Sequence, residues 1–128
     1  MELKILHLPM LSKWYLMVES LTKTEEYRAI TPFWCKRLLI YKDSTKKFDW
    51  DSYFKSYSIN EVVEKIQEGL KSGDFTLKSY DTVKFSYGYT KRVMYFNLKS
   101  IHIGEGKEAW GAEPNVKYFV LSLGDKVC

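Results

Sequence analysis

TVKFSYGYTKRVMYFNLKSIHI, residues 82–103, alternates apolar and polar side chains over most of its length and is interrupted at Gly88. A period of two puts every second side chain on one face of an extended strand, so strands are expected near 82–87 and 92–103. Residues 117–123 read as a further strand, and Gly104, Gly106 and Gly111 punctuate the interval before it. Upstream, residues 3–8 alternate loosely and suggest a first strand closed by Pro9. Strands linked by local connections, with glycine breaks and two or three helices beside them, fit a small, partly open β-barrel of the α+β class. They do not fit a doubly wound parallel sheet.

The helical signals lie in the first half. Ser12 is placed to cap a helix whose apolar side would hold Leu11, Tyr15 and Val18 together with Trp14, Met17 and Leu21. Thr31 followed by Pro32 reads as the cap and first position of a short helix reaching Arg37. Residues 38–41 suit a strand, 42–47 a polar turn, and 48–57 an aromatic, irregular stretch. Ser58 then caps a helix running to about Lys71, with Val62, Val63, Ile66 and Leu70 buried and Gly73 as its stop.

The chain has 128 residues, 45% of them hydrophobic and 16% aromatic, which suffices for one independent core. A single domain over residues 1–128 is expected. With only two cysteines, Cys35 and Cys128, and no Cys/His cluster, no disulfide scaffold or metal site is expected, and both cysteines read as free thiols. No cofactor is implied. The N-terminus lacks the features of a secretory leader and no window is apolar enough to span a membrane, so a cytoplasmic location is expected. The net charge of +4 helps attract phosphate without marking a polybasic protein.

Three segments concentrate functional chemistry. Lys23-Thr24-Glu25-Glu26-Tyr27-Arg28 places charges of both signs in six positions. If extended, Thr24, Glu26 and Arg28 share one side and Lys23, Glu25 and Tyr27 the other. These residues either line a pocket, with Arg28 holding a planar anion or base edge and Lys23 a phosphate, or form a solvated edge strand. Ser86-Tyr87-Gly88-Tyr89, followed by Lys91 and Arg92, sets aromatic rings beside cations, as a stacked nucleobase requires; a hairpin loop with surface rings has the same sequence. Residues 104–111, GEGKEAWG, lack both the dinucleotide and the phosphate-loop spacing and read as a flexible loop. Its Trp110 either caps the barrel or lines a cleft. His7 and His102 have no nucleophile at a recognisable spacing and read as core or edge residues.

The block from Lys23 to Arg28, with Pro32-Phe33-Trp34 and Lys36-Arg37 behind it, resembles the opening of ASCH domains, which belong to the PUA-like superfamily. The resemblance continues at Tyr80-Asp81, Gly88-Tyr89, Ile101-His102-Ile103-Gly104-Glu105-Gly106 and Tyr118 to Gly124. Residues 42–78 fall outside it and read as an insertion. The resemblance implies a PUA-like mixed or antiparallel barrel that binds RNA or a modified nucleotide, with Lys23, Thr24, Glu26 and Arg28 at the site and Tyr89 or Trp110 stacking. An enzymatic branch is similar too: small amidohydrolases that deacetylate acetylcytidine with a Lys and a Thr nucleophile. Lys23 matches that lysine, whereas Glu26 stands where the nucleophile would be, so catalysis by Lys23 and Glu26 is a rival expectation. A protein-interaction role for the aromatic residues 48–57 is the third. The oligomeric state is left open.

Overall fold

The computed structural model describes residues 3–43 and 47–127. Two compact units make up the chain: Met1–Tyr27 with Ser79–Cys128, and Arg28–Lys78. The first holds a curled, five-stranded half-barrel sheet in the order β1-β5-β6-β7-β2. Its strands are β1 (Ile5–Met10), β2 (Glu25–Ala29, whose last two residues belong to the second unit), β5 (Thr82–Tyr87), β6 (Val93–Glu105) and β7 (Lys117–Lys126). The second unit holds α2 (Pro32–Leu38), β3 (Leu39–Tyr41), α3 (Trp50–Ser56), α4 (Ile59–Ser72) and β4 (Phe75–Leu77), with β3 and β4 antiparallel. With α1 (Ser12–Glu19), this gives four α-helices among the described residues in an α+β fold.

In the first unit β5 and β6, two strands expected from the alternation, form a hairpin, pairing from Thr82↔Asn97 to Ser86↔Val93. β6 is long enough to pair onward with β7, through register shifts between Phe96 and Ser100 that bend the ladder. Val83 and Phe85 of β5, Met94 and Phe96 of β6, and Phe119 and Leu121 of β7 are buried, the Phe85 and Phe96 rings meeting at 5.9 Å; Thr82 and Ser86 on the other face of β5 are buried too. Helix α1 lies against β5, with the buried Tyr15 ring meeting Tyr87 edge-on at 5.3 Å.

Several expectations need correction. Pro9 does not close β1 but lies inside it, opposite Ser86 in a parallel ladder; an end strand tolerates proline because only one of its sides is paired within the sheet. Ser12 is the first residue of α1, not its cap, and of the proposed apolar face only Tyr15 and Val18 are buried, Leu11 and Leu21 being exposed. Residues 48–57 are not irregular, because Asp49 caps α3 by accepting from the backbone N–H of Ser52. β4 was not anticipated, and residues 44–46 of the expected polar turn lie outside the described residues. The Thr31 cap, the Ser58 cap and the Gly73 stop are present as read.

The second unit is packed around aromatic rings. Phe48 stands 4.4 Å from Trp50, 5.1 Å from Tyr41 and 5.2 Å from Phe75, centroid to centroid. Cys35 is buried there, and burial pushes its thiol up to about 12. Among the described residues no helix is long and apolar enough to cross a membrane.

Candidate functional site

The chain leaves α1 through Leu21, which takes a left-handed backbone at φ 64°, and the backbone N–H groups of Thr22 and Lys23 both return to the Met17 carbonyl. That tight exit turns the Lys23 side chain inward ahead of β2. The strict alternation expected for residues 23–28 therefore fails at its first member. Lys23 and Glu26 are 1% and 7% exposed and share an ion pair, Nζ to Oε1, of 2.9 Å. They are not a solvated edge.

The two charges are held by a connected set of donors. The Lys23 ammonium also donates to the Glu25 carbonyl, and the Glu26 carboxylate accepts from the Tyr27 backbone N–H at 3.1 Å. The Tyr27 ring lies 5.0 Å from the ammonium, a cation–π distance. Its hydroxyl donates to Glu25 Oε1 at 2.8 Å and accepts from the Lys107 backbone N–H at 2.9 Å. Burial pushes the Tyr27 phenol up to about 12, the carboxylates of Glu25 and Glu26 adding to the effect. Removing two charges from water is costly unless each finds partners, and here each does.

Tyr27 carries this network to the connection between β6 and β7. Gly106 leaves room for its ring, since a Cβ there would lie 2.6 Å from Tyr27 Cζ and 2.7 Å from Ala112 Cβ. Tyr118 packs on the same ring at 5.8 Å, and its hydroxyl accepts from the Glu113 N–H. The connection itself contains a 3₁₀ turn, Glu108–Trp110, closed by Gly111 at φ 99°. On it the exposed Lys107 holds its ammonium 4.3 Å from the centre of the half-buried Trp110 ring.

The proposed site residues thus separate into groups. Lys23 and Glu26 meet directly, and Trp110 reaches them through Lys107 and Tyr27. Thr24 exposes its side chain while its carbonyl accepts from the Leu123 N–H of β7 at 3.0 Å. Arg28 belongs to the second unit, where its guanidinium carbon lies 5.1 Å from the centre of the Trp34 ring. Tyr89, 97% exposed, occupies the β5–β6 turn at the opposite end of β6 from Trp110, so the two rings do not form one platform. Beside that turn Arg92 pairs with Glu19 at 2.9 Å and covers the Tyr15 and Tyr87 rings. His7 lies on edge strand β1, 3.3 Å from the Ser86 hydroxyl, and His102 is exposed on β6.

Sequence reasoning missed Tyr27, Lys107 and Tyr118 as site residues. A signal was present, since a glycine beside a lysine and a tryptophan marks a backbone that something large approaches closely. Only the placing of β2 beside β7, which is itself paired with β6, says that the large group is Tyr27. The fold and site define a small α+β chain whose curled sheet encloses a Lys–Glu pair tied to an aromatic and cationic loop. No family model, curated protein or solved structure matches it.

Proposed function

We propose that the first unit is a nucleic-acid-binding module that engages single-stranded RNA or a modified nucleotide on the β6–β7 connection. The observation that carries this reading is the Lys107–Trp110 couple, an exposed cation beside a ring on a loop fastened to a buried polar network. Stacking on Trp110 would hold a base, and Lys107 would neutralise its phosphate. The ASCH-like block supports the same reading with a changed division of labour. Lys23 and Glu26, enclosed and paired, brace Tyr27 and the loop rather than touching the ligand.

The deacetylase reading gains less from the geometry. Oε1 of Glu26, at the nucleophile's place in the block, is already taken by Lys23 and Tyr27. The rings of residues 48–57, the basis of the protein-interaction reading, pack largely on one another.

The test is fluorescence anisotropy of a labelled short single-stranded RNA at two salt concentrations. Affinity should fall as salt rises, and the Lys107→Gln/Trp110→Ala variant should lose about tenfold or more. Absence of binding by the wild type would end the nucleic-acid reading, and turnover of acetylcytidine by the wild type, lost in a Lys23→Met variant shown to remain folded, would replace it with the hydrolase.

A further inference from the structure

The second unit carries a cavity of about 440 Å³ along β3, whose other edge is paired with β4. Its apolar lining includes Ile40, 45% exposed, with the half-buried rings of Tyr41 and Phe48, while Trp50, 4% exposed, forms its floor. Among the described residues, three lysines, Lys36, Lys47 and Lys78, and no carboxylate complete the lining. An apolar hollow bordered by cations of one sign is the complement of a ligand with a flat apolar body and a negative end.

Charge narrows the ligand. Lys36 is offset by Asp51, 3.1 Å away, and Lys78 is steered by donating to the Lys36 carbonyl at 3.2 Å. That leaves Lys47 and Lys78 as two positive charges not balanced by Asp51. A phosphomonoester carries about −1.5 to −2 at neutral pH, which matches two cations where a carboxylate would match one. The ladder adds a backbone contribution. Lys42 and Lys78 donate across to Asp74 and Leu38, so the alternation of an antiparallel pair turns the N–H and C=O of Leu39 and Tyr41 away from β4. The Leu39 N–H accordingly returns to Cys35.

We propose that this cavity binds a ring-bearing phosphomonoester of mononucleotide size, the ring against Tyr41, Phe48 and Ile40 and the phosphate between Lys47 and Lys78. The volume lies within the range of about 300–1,000 Å³ typical of small-ligand sites. Such a group occurs in a free nucleotide and at the 5′ end of a nucleic-acid strand. The site is built from the second unit alone and does not depend on the function proposed for the first.

The experiment is calorimetric titration of the full chain with adenosine 5′-monophosphate, adenosine, and an RNA trinucleotide with and without a 5′ phosphate. Adenosine monophosphate should bind about tenfold or more tightly than adenosine. Lys47→Gln/Lys78→Gln should lose about tenfold, and Ile40→Glu, at an exposed position that leaves the core intact, should do the same. Binding must also survive Lys107→Gln/Trp110→Ala in the first unit. Phosphate-dependent binding of the trinucleotide but not of adenosine monophosphate would assign the site to strand ends, and the reverse to free nucleotides. The proposal is overturned if neither phosphorylated probe binds, if adenosine binds equally well, or if the second-unit variants bind like the wild type.

Discussion

Lys23 and Glu26 show how much a single residue's environment decides. In water the pair would contribute little, but enclosed it is an obligation, since losing either partner leaves the other charged and buried. Glu26→Leu or Lys23→Met should each destabilise the protein by about 3–5 kcal/mol in urea unfolding, whereas the double variant should cost clearly less than the sum. Gly106→Ala drives a methyl into Tyr27 and Ala112, and a loss of about 1–3 kcal/mol is expected in the same assay. Tyr27 gives a pH signature. Its phenol is raised in the folded protein, so the stabilisation it supplies is complete below the ordinary phenol range and is lost as pH rises through about 12. In an alkaline absorbance titration Tyr27 should ionise late, and Tyr27→Phe should remove that late step.

At the scale of elements, α4 was legible because its signals are local and redundant. Ser58 and Glu61 each accept from the other's backbone N–H, and Gly73 supplies the left-handed residue at φ 89°. Ser58→Ala should cost about 1 kcal/mol, and Gly73→Ala a similar amount through its backbone, both measurable by thermal unfolding. The Glu61 and Asp49 carboxyls are held below their usual range by the backbone N–H groups of Ser58 and Ser52. Their contribution is therefore present above the ordinary carboxylate range and fades as pH falls through the depressed values. Protection factors at the first turns of α3 and α4, corrected for the intrinsic slowing of amide exchange in acid, should fall on acidification. α3 had a legible signal that the sequence reading passed over: Trp50, Tyr53, Phe54 and Tyr57 recur at i, i+3, i+4 and i+7 behind the Asp49 cap. What the sequence could not supply is the partners of these rings, since Tyr53 packs on Phe48 and Trp50 on Phe75.

For the whole molecule, legibility followed sequence separation. β5 and β6 were both legible as strands from their own alternation and close over a few residues, whereas the β1–β5 pairing joins residues 77 apart and leaves no local sign. The site divides in the same way. The Lys23–Glu26 block was visible as a charge cluster, but its partner Lys107 lies 80 residues from Tyr27. Contacts that close long loops form late, so the locally wired Arg28–Lys78 unit should become protected first. In pulse-labelled exchange during refolding, the amides of α4 should gain protection before those of β1 and β5; the reverse order would contradict this view.

Pro9 bears on how this protein meets other copies of itself. The carbonyls of Lys4 and Met10 accept from the Asp81–Gly88 stretch that carries β5, so by alternation residues 5, 7 and 9 direct their backbone away from β5. An incoming strand would find N–H donors at Ile5 and His7, and at Pro9 a pyrrolidine ring with none to give. With Leu3 and Ile5 exposed beside it, this border would otherwise invite stacking of molecules edge to edge. Pro9 withholds one donor from that border, and Pro9→Val, which restores it, should raise light scattering on concentration above that of the wild type.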